Sequence, residues 1–393
     1  MRNITPAGRG HNRRGVLPAG LQILPTSLLI LAALSPAAGC GGDQRRAAPP
    51  ASAVAQVKLD VTALDDWLAI LDRSLSGKAV PAESYQRLFE LPAYALQGKD
   101  PRIFSPSILQ KCTEYVCQRA AGDTADVTPP RRADIVANCD YLRQRADEAR
   151  DFAVVLADDQ YRNRVWELAR RWIGESRLPG SITVHAMVGP TSLGFQAPDH
   201  VLLDAGLALA AGKEQAARMT ASRLYAELAT PSGPQPPDAA SGREALRQTL
   251  RFLHHGAVIA WIAGGAELEF DGRHDHLGAP RRETRTTQER AAGLLNYSFR
   301  LLDGMLDPGR EDLLQTNGNA VDDLLRPRWG YETLGFAMAD VIASRGGEEA
   351  LLALSGDTAA FLNAYQSALG AGSVMPPFPP QLLEQLDGLV REP

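Results

Sequence analysis

The chain has 393 residues, of which 22% are charged and 45% hydrophobic, and its formal net charge is −5. That length suits one large domain or two closely packed ones. The acidic balance argues against nucleic-acid binding, which needs a basic footprint.

The first forty residues carry an address. Arg2, Arg9, Arg13 and Arg14 precede an apolar run from Leu21 to Leu34, and no acidic residue lies among them. The run closes on Ala37-Ala38-Gly39-Cys40. A charged lead, a short apolar core and a small-residue exit describe an export signal. The run is shorter than the ~20 residues needed to cross a bilayer, and Pro25 interrupts it. With cysteine directly after the small residues, the segment resembles a bacterial lipoprotein signal, although Ala37 stands where that pattern prefers leucine. The resemblance implies cleavage before Cys40, lipidation of Cys40, and residence in the bacterial cell envelope, lipid-anchored and facing the periplasm. Residues 1–39 are then the signal and 40–57 a flexible Pro/Ala linker. Losing the four arginines takes the net charge from −5 to −9. The acyl chains, not attraction to anionic lipid, would therefore hold the protein at the membrane.

From Val61 the apolar positions Leu64, Trp67, Leu68, Leu71 and Leu75 keep helical spacing, with Asp60 as N-cap and Gly77 just past the end. A second helix starts near Pro81, carries Tyr85, Leu88, Phe89 and Leu91, and ends at Pro92. Thr128-Pro129-Pro130 breaks the chain again. Besides Cys40 the chain has Cys112, Cys117 and Cys139. An oxidising periplasm permits a structural disulfide among these three, and the spacing does not choose the pair. Zinc is a poor reading of them, because no C-x-x-C pair occurs and no histidine is near.

The pattern is helical again from Asp134 to Ile173, interrupted at Ala157-Asp158-Asp159. Residues 58–180 thus form an N-terminal helical part. In the remaining part, 181–393, Ser181–Val188 and His200–Asp204 read as two strands. Helices are expected at about 213–229, 244–262, 287–303, 330–345, 348–354 and 357–369, with a short one at the end. A polar loop spans about 264–285. The fold class is mainly α with a small β-sheet, α+β.

The order of helices, strands, helix, break and apolar helix resembles the zincin-like metallopeptidases of bacteria, which are built like gluzincins. The pieces that carry the likeness are Trp67-Leu68 through Gly77, Leu88–Tyr94, His200–Asp204, His255–Ile262, Tyr331–Ala339 and Phe361–Tyr365. In that family an edge strand precedes a helix carrying H-E-x-x-H, whose histidines hold zinc while its glutamate activates water. A third ligand comes from a later helix. At the matching place this chain reads Ser222-Arg223-Leu224-Tyr225-Ala226. Serine and alanine supply no imidazole, and arginine, always protonated, repels a cation and cannot act as a base. The resemblance therefore implies a zincin-like scaffold without catalytic residues, metal or cofactor. Its remnant cleft would consist of Ser222, Arg223, Tyr225, Ala226, His254 and His255. His254 and His255 point about 100° apart on a helix and cannot chelate one ion as an i, i+4 pair does.

Three functions follow as expectations. The first is a lipid-anchored envelope protein that binds a peptide or an envelope protein, laid against the strand 200–204 by β-augmentation. The second is a hydrolase with a rebuilt site drawn from Tyr225, Glu227, His254 and His255. The third is a plain helical lipoprotein. His274-Asp275-His276 beside Glu267, Glu269 and Asp271 reads as a solvated tract rather than a metal site, and Arg281, Arg282 and Arg285 as a solvated face. Tyr331 and Gly335 read as packing residues between helices.

Overall fold

A computed structural model describes residues 57–97, 105–122, 130, 132–189, 199–232, 241–264, 284–307 and 331–391. The signal and linker, with Cys40, lie outside the described residues, as do the loop 265–283 and its His274-Asp275-His276. The described residues are mostly helical with one small parallel sheet, an α+β arrangement.

The sheet has three strands where the pattern gave two. Strand β1 (Val57–Asp60) opens the fold, ahead of helix α1 (Thr62–Leu75). Asp60 still serves the start of α1, because its Oδ1 accepts from the Thr62 N–H at 3.0 Å. Strands β2 (Ile182–Met187) and β3 (His200–Asp204) follow much later, and the order is β1-β2-β3, all parallel. A four-residue strand flanked by a linker has no alternation long enough to read. It forms because parallel pairing with β2 satisfies its backbone groups. The register pairs Val57 with Ile182 and Asp60 with His185, and Thr183 with His200 and Met187 with Asp204. Residues 57–60 therefore belong to the same sheet as residues 182–204.

Between β1 and β2 run α2 (Ala82–Glu90), α3 (Pro92–Gln97), α4 (Pro106–Ala120), α5 (Ala133–Gln144), α6 (Ala146–Ala157) and α7 (Asp159–Ile173). Pro92 ends α2 and also begins α3, a place where proline's missing N–H is harmless. The Asp158 side chain caps α7 by accepting from the Gln160 N–H, which accounts for the interruption read at 157–159. The break at Arg145, between α5 and α6, carries neither glycine nor proline and leaves no local mark. Trp67 of α1 is fully buried and donates its indole N–H to Thr113 Oγ1 on α4.

The expected disulfide is absent: Cys112, Cys117 and Cys139 are free and buried. Cys112 and Cys117 share helix α4. Five helical residues span about 7.5 Å of rise, beyond the ~7 Å limit for a bridge. Cys139 on α5 instead meets Thr113 Oγ1 through its Sγ at 4.0 Å. Burial pushes the Cys112 thiol up to about 12 and raises Cys117 and Cys139 as well. These thiols act as small apolar core residues.

After β3 come α8 (Ala205–Ala211), α9 (Lys213–Leu228), α10 (Gly242–Ile262), α11 (Thr284–Gly304), α12 (Tyr331–Leu354), α13 (Thr358–Ala368) and α14 (Pro380–Arg391). Gly347, at φ 74°, kinks α12 where two separate helices were expected. Helix α9 packs on α7 and on α10, and α10 packs along α12. The last contact is close because two glycines face it. A Cβ on Gly335 would lie 2.4 Å from the Leu253 carbonyl oxygen, and one on Gly256 would lie 2.9 Å from the Tyr331 backbone.

Candidate functional site

Helices α9 and α10 carry every residue of the expected remnant cleft. Ser222 is fully buried, and its hydroxyl donates to the Met219 carbonyl of its own helix at 2.8 Å. Arg223, on the half-buried side of α9, works against the burial that raises the Tyr331 phenol. Tyr225 is buried and donates to the Ser355 carbonyl at 3.0 Å. Its ring stacks on His255, with centroids 5.4 Å apart and planes at 27°. Burial pushes the Tyr225 phenol up to about 12.

His255 turns toward α9, and its Nε2 lies 3.2 Å from the Ala226 carbonyl oxygen. A carbonyl only accepts, so Nε2 carries the proton. His254 turns the other way. Its Nδ1 lies 2.9 Å from Thr358 Oγ1 on α13, and its ring stacks on Phe361 at 4.6 Å. The two imidazoles diverge as their helical positions require. Burial pulls both down to about 4, and for His254 the neighbouring His255 adds to it. Both are therefore neutral near pH 7.

The structure thus joins Tyr225, Ala226 and His255 in one packed contact, places His254 in another, and ties Ser222 to its own turn. Tyr225, His254 and His255 are 4–5% exposed. Glu227 is exposed, so the four residues of the rebuilt-site expectation do not converge. Among the described residues no group of three or more His, Cys, Asp or Glu side chains is arranged to hold a metal.

Strand β3 is an edge of the sheet and precedes α9, with α8 between them. Val201–Asp204 are buried, so most of this edge is covered. Asp204 ends the strand and caps α8. Its Oδ1 accepts from the Leu207 N–H at 2.7 Å, and its Oδ2 accepts from the Asn138 amide at 2.6 Å and the Gly189 N–H at 3.2 Å. Burial pushes this carboxyl up to about 7 against those donors.

Sequence reasoning passed over one polar cluster. Asp60, His185 and His200, one from each strand, form a hydrogen-bonded row. The signal was there: one histidine in each of two strand segments that are mostly apolar. Without β1 and the register, nothing linked them to an aspartate 125 positions earlier.

No protein-family model, no curated protein and no solved structure matches this chain.

Proposed function

We propose that this chain is a lipid-anchored protein of the bacterial cell envelope, built on a metallopeptidase-like scaffold that has lost its hydrolytic site and acts by binding. The observation that carries the reading is the filled contact at 222–226. Ser222 bonds its own helix, His255 bonds the Ala226 carbonyl, and Tyr225 covers His255. Each group that metal chemistry would need is replaced or already engaged with the protein. An imidazole that donates from Nε2 to a carbonyl has no lone pair left there for a cation. The partner is a peptide or an envelope protein. Because Val201–Asp204 are buried, it meets a surface other than that stretch of β3. No helix among the described residues is long and apolar enough to cross a membrane; in this reading the anchor is lipidated Cys40.

The test uses the full-length chain expressed in a bacterium. On detergent phase separation the protein should partition with the detergent, and Cys40→Ala should move it to the aqueous phase. The purified protein should carry far less than one equivalent of zinc and should leave a denatured protein substrate uncut. Stoichiometric zinc lost on His255→Ala, or proteolysis abolished by one substitution in 222–226, would overturn the binding reading. An aqueous wild type would overturn the anchor.

A further inference from the structure

The three strands bring a carboxylate and two imidazoles into line. Asp60 and His185 are register partners, and His200 pairs with Thr183, two residues before His185. Side chains alternate faces along a strand, so all three point to the same side of the sheet. Asp60 Oδ2 lies 2.9 Å from His185 Nδ1, and His185 Nε2 lies 2.8 Å from His200 Nδ1. The rings are nearly parallel, 11° apart. His185 is buried, the His200 side chain is 32% exposed, and Asp199 Oδ1 lies 3.8 Å from His200 Nε2.

Proton positions follow from which atoms must accept. The Asp60 carboxyl is held below its ordinary range: burial works to raise it, and hydrogen bonds from Thr62 and His185 outweigh burial. As a carboxylate it only accepts, so His185 carries its proton on Nδ1. His185 is neutral, its basicity lowered by burial against the pull of Asp60, so its Nε2 is a lone pair. That lone pair accepts from His200 Nδ1–H. His200 Nε2 is then left bare at the half-exposed end of the row. The 2.8 Å separation is that of a hydrogen bond, and among the described residues no group of three or more His, Cys, Asp or Glu side chains is arranged to hold a metal.

We propose that Asp60, His185 and His200 form a proton-accepting relay whose outward base is His200 Nε2, a site for the acidic proton of water or of a hydroxyl-bearing ligand. The step is a simple transfer. The O–H bond breaks, its electron pair stays on oxygen, and a bond forms between the proton and Nε2. The resulting imidazolium keeps its Nδ1–H bond to His185 and gains the Asp199 carboxylate beside its new N–H. No hydrogen bond of the row is lost. His200 is the group that meets the ligand, and Asp60 and His185 are positioning residues. This site is independent of the contact at 222–226.

The tautomers provide the test. In 15N-edited imidazole spectra of the full chain near neutral pH, both His185 and His200 should be in the Nδ1–H form, the minor tautomer of free imidazole. Nε2–H on either ring overturns the relay. Asp60→Ala should flip both rings together, although Asp60 does not touch His200, and should slow carbethoxylation of His200 by diethyl pyrocarbonate at least fivefold. A folded Asp60→Ala protein with His200 unchanged in both readouts also overturns it. If that variant does not fold, the wild-type tautomers decide by themselves.

Discussion

His254 and His255 are adjacent, yet one packs against α13 and the other against α9. Both are held neutral, with values near 4 against an ordinary 6.5. A base whose value is lowered by folding contributes fully above about pH 6.5, and that contribution is lost as pH falls toward 4. The shifts correspond to roughly 3 kcal/mol each. His185 shifts in the same direction. Asp204 opposes them. An acid raised to about 7 contributes fully below about pH 4 and loses that contribution as pH rises toward 7, about 4 kcal/mol in all. Two imidazoles outweigh one carboxyl, so urea unfolding should give a stability about 2 kcal/mol lower at pH 4.5 than at pH 7. His255→Gln keeps a donor for the Ala226 carbonyl and removes the titration, so its profile should be nearly flat over this range. A wild type more stable at pH 4.5 than at pH 7 would contradict this balance.

Among the elements, the crossing of α10 and α12 is the most demanding contact. An added methyl on Gly335 would meet the Leu253 carbonyl at 2.4 Å and the Ala257 nitrogen at 2.5 Å, both backbone atoms. Backbone cannot turn aside as a side chain can. Gly335→Ala should therefore lower stability by roughly 3 kcal/mol and visibly lower Tm. Gly293 on α11 is the control, since nothing lies within 4 Å of its added Cβ. There alanine's better helix propensity should raise stability by up to about 1 kcal/mol. Thermal unfolding of the two variants should shift in opposite directions. Equal shifts would mean that the α10–α12 distance is not set by glycine.

For the whole molecule, the free thiols depart from the disulfide expected among the three cysteines. Cys112, Cys117 and Cys139 are 0–4% exposed, and burial holds them as thiols. The Cys40→Ala protein, isolated without reductant, should show no thiol reactive to a disulfide reagent while folded. It should show three after unfolding in guanidinium. A loss of two from that count would mean that α4 and α5 rearrange to form a bridge.

Helix positions were legible where an amphipathic stripe ran between strong stops. The stretches expected at 213–229, 244–262 and 357–369 match α9, α10 and α13 to within two residues, and β3 matches at both ends. Periodicity and capping are local properties, so they survive in one dimension. Strand β1 and helix α8 did not stand out, because segments of four and seven residues, the latter with Gly206 near its start, give the pattern too little to work on; in the longer α4, cysteine and threonine share the buried face with the aliphatic residues and blur its stripe. At 222–226, the lack of any imidazole and the divergence of His254 from His255 follow from residue identity and helix geometry. Chain order does not reveal that Tyr225 and His255 close over that place, or that three cysteines stay apart. Nor does it show that Asp60 reaches His185 and His200 across a parallel sheet. Those depend on distances between residues far apart in sequence, which packing sets by burying apolar surface and pairing every strand.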